Sequence, residues 1–171
     1  TLYNLFGSRD LLLMEAASAR LADLEENPRI QAAEPGIPRL LVYTAGTMKQ
    51  FEEMPQYACA VVSILVQADM EPEAAYARLG VVKRFAQYSL DIAAAQGELR
   101  EDVDIENLAY HISANQWGAV LLWERGILRL EQLVDHITLS HYLTLTPACI
   151  GARREVMEQE LAELRSEEHT S

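Results

Sequence analysis

Prolines and glycines fall where helices begin and end, and they cut this 171-residue chain into segments of helical length. Proline lacks the N–H that a helix interior needs but suits the first turn, and glycine accepts the left-handed backbone that ends a helix. The spacing predicts a first helix capped by Ser8, with Leu13, Ala17, Leu21 and Leu24 on one face, ending at Asn27-Pro28. Residues 28–38 hold three prolines and a glycine and read as a loop. A second helix is expected over about 38–53, a third from Pro55 to about 69, and a fourth from Pro72 to about 96, before Gly97. Asp104 is placed to cap a fifth, which runs to Arg125 before Gly126. A sixth spans about 130–145, and Thr146-Pro147 is placed to open a seventh. The sequence carries no strand alternation and no internal repeat, so the expected fold is all-α, a helical bundle.

Half the residues are apolar, which excludes a disordered chain. The net charge is -12, which repels nucleic acid from the chain taken by itself. Cys59 and Cys149 stand alone in apolar helical contexts, so neither a disulfide framework nor a metal site is expected, and a reducing cytoplasm is the natural compartment. No apolar run is long enough for a membrane span. No cofactor motif is present. Glu52-Glu53 and Asp102 with Asp104 sit at polar turns, the histidines lack metal spacing, and Ser140-His141 lacks the elbow of a hydrolase nucleophile. An enzyme is not expected.

The opening stretch, Thr1-Leu-Tyr3-Asn4-Leu-Phe6-Gly-Ser8-Arg9-Asp10, resembles a landmark of the tetracycline-repressor (TetR) family of transcriptional regulators. There a recognition helix ends in a Leu-Tyr-x-x-Phe pattern, followed by a tight Ser-Lys or Ser-Arg turn and the helix that joins head to body. Gly97-Glu-Leu-Arg100-Glu-Asp102-Val-Asp104, the apolar helix after it, and Leu130-Glu-Gln-Leu-Val134 are similar to the family's core-helix landmarks. The resemblance implies a ligand-responsive repressor released from operator DNA by a small molecule. It places Thr1 and Asn4 near DNA and Tyr3 and Arg9 on its phosphates, where contacts position the protein rather than read sequence. It also implies that most of the basic head lies upstream of Thr1, which reconciles the acidic balance with DNA binding. The last seven residues resemble a translated sequencing adapter. The expected division is residues 1–7 as the end of a helix-turn-helix head, 8–164 as a ligand-binding and dimerisation domain, and 165–171 as an artefact.

Trp117-Gly-Ala-Val-Leu-Leu-Trp123 is non-polar around the whole helix circumference. One face suits the chain's own core and another asks for a partner. Two stripes of the next helix, Leu130/Leu133/Val134/Ile137 and Leu139/Tyr142/Leu143, repeat that pattern. The expected assembly is a homodimer through both helices, with Trp117, Gly118, Leu121, Leu139 and Tyr142 at the interface, as the resemblance also implies.

Pockets in helical bundles are apolar with a few polar groups. The candidates here are Tyr43, Met48, Tyr57, Phe85, Tyr88, His111, Asn115 and Trp117, with His111 and Asn115 one helical turn apart as a polar anchor. The expected effector is an apolar or amphipathic small molecule. The alternative is a free-standing helical small-molecule-binding or interaction module that never touches DNA.

Overall fold

The computed structural model describes residues 9–65 and 72–168, and within them it is a bundle of helices joined by short turns. The helices are α1 (Arg9–Glu25), α2 (Pro28–Gln31), α3 (Ile37–Glu53), α4 (Pro55–Leu65), α5 (Pro72–Ala95), α6 (Ile105–Glu124), α7 (Leu130–Leu145) and α8 (Gly151–Glu168). A 3-10 turn, Thr146–Ala148, separates the last two.

Most ends follow from single residues. Gly97 has φ +73°, and the N–H groups of Gly97 and Glu98 reach back to the carbonyls of Ala94 and Ala93 at 2.9 Å each. That pair of bonds is a Schellman motif, and it needs a residue comfortable in left-handed backbone. Gly126 repeats the arrangement after α6. Asp104 caps α6, its carboxylate accepting from the Asn107 N–H at 3.0 Å.

Two expectations about the chain's turns are corrected. The 28–38 stretch is not wholly a loop, because Asn27 accepts from the Arg29 N–H and Pro28 opens the short α2. The seventh expected helix does not open at Thr146-Pro147. Leu99 and Cys149 form an isolated antiparallel bridge, with Arg100 N–H to the Ala148 carbonyl and Ile150 N–H to the Glu98 carbonyl. Cys149 is thereby held extended after the 3-10 turn, and α8 runs from Gly151 to Glu168.

The buried side chains form two clusters. The first joins Ile37, Leu40 and Tyr43 of α3 to Phe85 and Leu90 of α5 and Ile112 of α6, and the Tyr43 and Phe85 rings stack at 3.9 Å. The second joins Met48 of α3, Val62 of α4, Val120 and Trp123 of α6, and Leu133 and Ile137 of α7. Both α3 and α6 contribute to both clusters.

α8 is tied down by Arg153, whose guanidinium meets Glu98 at 2.9 Å and Glu34 at 3.0 Å. Its side chain is mostly buried, as is that of Glu98, so each charge depends on the other for solvation lost on folding. Arg153→Met is expected to lower the unfolding free energy by about 1–3 kcal/mol in urea titrations. Glu34→Gln, which loses only the exposed arm, should change it by less than about 1 kcal/mol. Equal effects from the two would mean that the Glu98 contact carries no special weight.

Candidate ligand site

The face of α3 past the first core presents Thr47, Gln50 and Phe51, and Met54 follows one turn later at the helix end. These residues, at i, i+3, i+4 and i+7, form one wall of a cavity. Tyr57 and Ala58 of α4 form the second wall, and Gln116, Trp117 and Val120 of α6 the third. Val82 of α5 and Arg20 of α1 complete it. The volume is about 40 Å³, room for little more than water.

The wall is largely apolar, and its few polar groups differ in what they have left to offer. Thr47 donates to its own helix at the Tyr43 carbonyl, 3.0 Å away. The Gln116 side chain is only 3 % exposed, and its Oε1 has no hydrogen-bond partner among the described residues. The buried Tyr57 hydroxyl is likewise unpartnered. Burial pushes the Tyr57 phenol above its ordinary pKa, against the pull of the Arg20 guanidinium. Arg20 lies 5.8 Å from the centre of the Tyr57 ring and donates to the Met54 sulfur at 3.0 Å. α1 is thereby held across the cavity rim.

Of the pocket residues expected from sequence, the structure brings Tyr57 and Trp117 to this cavity. Tyr43 and Phe85 are stacked in the first core, and Met48 is buried in the second. Tyr88 is 58 % exposed. His111 is exposed on α6, and Asn115 instead donates to Thr144 Oγ1 of α7 at 3.1 Å. The buried polar side chain that α6 presents to the cavity is Gln116, one residue and about 100° of helix rotation from Asn115. Sequence reasoning missed Arg20, Gln50, Phe51 and Met54. The i, i+3, i+4, i+7 spacing on α3 was a signal for three of these, but it is the same signal that core packing gives.

Thr1, Tyr3 and Asn4 lie outside the described residues, as does the Ser8 cap, and Arg9 is the first residue of α1. On α6, Ala119, Val120 and Trp123 are buried in the chain's own core, Trp117 and Leu121 are half-buried, and Gly118 and Leu122 are exposed. The Trp117–Trp123 segment therefore has both an inner and an outer apolar face. On α7, Leu139 is half-buried and Leu143 is 45 % exposed. The Tyr142 hydroxyl donates to Glu160 of α8 at 2.9 Å, within the same chain.

Among the described residues no group of three histidine, cysteine or acidic side chains could hold a metal ion, and no helix is long and apolar enough to cross a membrane. No family model and no curated protein matches the sequence. The fold is similar to that of CprB, a TetR-family protein from S. coelicolor A3(2), with a TM-score of 0.65 at 17 % identity. The similarity covers 97 % of this chain and 79 % of that one. The chain has a TetR-type fold.

Proposed function

We propose that this chain, with its TetR-type fold, is the body of a ligand-responsive DNA-binding regulator, a repressor that leaves its operator when a small molecule binds. The observation that carries the reading is the cavity beneath α1. In this reading α1 joins the bundle to a DNA-binding head that ends within residues 1–7, so a ligand seated under α1 acts on the lever that sets the head. A ligand biases that lever only by binding one position of α1 more tightly than another. A 100-fold loss of DNA affinity needs a coupling of about 2.7 kcal/mol, within the usual range for allostery.

The test uses the protein together with the DNA-binding head that this reading assigns to it. DNA recovered from a random pool should be bound tightly and released by a compound that also protects the chain from thermal unfolding. Failure to select any DNA would leave the alternative, a helical small-molecule-binding module.

The reading includes a homodimer through α6 and α7. Its support is the outward apolar material on both helices, with Gly118 and Leu122 on one and Leu143 on the other. A Cβ built on Gly118 meets nothing within 4 Å, so the folded chain accepts a side chain there. Gly118→Arg is therefore expected to keep the fold and to convert the dimer to a monomer in sedimentation velocity. An unmodified chain that sediments as a monomer at tens of micromolar, on the order expected to populate a stable dimer, sinks this part of the proposal.

A further inference from the structure

The cavity combines features that together specify a chemistry. Its body is apolar, formed by residues such as Phe51, Val82 and Val120. Inside it, Gln116 Oε1 can only accept a hydrogen bond and has no donor among the described residues. At its rim stands Arg20, with five N–H donors and a fixed positive charge. Among the described residues no carboxylate pairs with that guanidinium, although the chain carries 26 acidic side chains against 14 basic ones. Its partners, the Met54 sulfur and the Tyr57 ring face, are both weak. A carboxylate accepts from a guanidinium in a charge-assisted, two-pronged bond that a thioether cannot match.

From these groups we infer that the effector is a short amphipathic hydroxy acid. Its carboxylate pairs with Arg20, its hydrocarbon body lies against the apolar wall, and its hydroxyl donates to Gln116 Oε1. The inference rests on the proposed role of the cavity as the effector site. It also gives binding a direction. At about 40 Å³ the cavity is too small for such a molecule while Arg20 is held on Met54. A carboxylate that draws the guanidinium off the sulfur opens the space and moves α1 in the same step.

The test uses 8-hydroxyoctanoate, octanoate and octane-1,8-diol as probes, read by calorimetry and by the fluorescence of Trp117 in the cavity wall. The hydroxy acid should bind about tenfold more tightly than either relative, since one charge-assisted or one buried hydrogen bond is worth roughly that factor. Arg20→Gln should remove the hydroxy acid's advantage over the diol, whatever release of Met54 does to diol binding itself. Gln116→Leu should remove the advantage over octanoate. It should also raise the melting temperature of the ligand-free chain, because an unpartnered buried acceptor is gone. A merely structural Gln116 would lower it.

If the diol binds as tightly as the acids, the cavity is a ligand site and the acidic effector is overturned. If octanoate equals the hydroxy acid, the hydroxyl contact is overturned. If none of the three binds while the chain is folded, the inference falls, and the effector-site reading then stands or falls on the DNA-release experiment alone.

Discussion

Leu40→Ala is expected to destabilise the chain by about 2–5 kcal/mol, with a matching fall in the midpoint of urea unfolding and an unchanged slope. Leu40 is completely buried on α3, between Ile37 and Tyr43 in the sequence of one packed face, and belongs to the cluster that also holds Leu90 and Ile112. Truncation removes three carbons from water-excluded contact, and helices that pack on several sides cannot all close the gap. Leu143→Ala makes the same chemical change at an exposed position of α7 and should shift monomer stability by no more than about 0.5 kcal/mol. A loss under about 1 kcal/mol for Leu40→Ala would mean that this core collapses around the vacancy, contrary to close packing.

A second large effect is expected from acidification. His141 of α7 is fully buried, neither ring nitrogen makes a well-formed hydrogen bond among the described residues, and burial pushes its pKa down to about 4, opposed in part by the nearby Ile112 backbone. In the unfolded chain the imidazole titrates near its ordinary value of about 6.5. Between those two values the unfolded state binds the proton and the folded state does not, so stability falls as pH falls. The contribution is intact above about pH 6.5, is reduced by about 2 kcal/mol at pH 5, and is lost to the extent of roughly 3 kcal/mol below pH 4. Urea unfolding at pH 7 and pH 5 for the natural chain and for His141→Leu isolates this group from the exposed histidines. The variant should lose markedly less stability over that interval. Identical losses would show that His141 is protonated in the folded chain.

The elements that sequence reading placed well are those whose ends depend on one residue's backbone chemistry. Pro55 and Pro72 each open a helix, Gly97 and Gly126 each close one, and Asp104 caps one with its own carboxylate. The two misreadings have a common cause. At 28–31 the prolines that suggested a loop include one at a position where helices welcome it, and at 146–150 the backbone is claimed by pairing with residues nearly fifty positions earlier. Distant pairing leaves no local mark. The candidate site was less legible for a similar reason. Choosing Asn115 over Gln116 was a choice of helix rotation, and nothing within α6 fixes that rotation. It is set by what α4, α5 and α7 pack against it. The stripe Thr47, Gln50, Phe51 was visible as a period, but the same period lines a core or a cavity, and only the opposing helices distinguish the two.

The placement of the two clusters along α3 and α6 gives the molecule a mechanical gradient. All the cavity-lining residues lie outside the first cluster, while Ala58 and Val120 belong to the second. The void beneath α1 therefore lies at the end of these helices that carries the second cluster, and the end built on the first cluster is expected to be the stiffer. Because α3 and α6 run through both ends as common struts, a displacement at the hollow end is carried along them to a fixed fulcrum at the Tyr43–Phe85 stack. The soft half can change shape while the hard half stays in register, and amide exchange should slow along each strut from the cavity toward that stack.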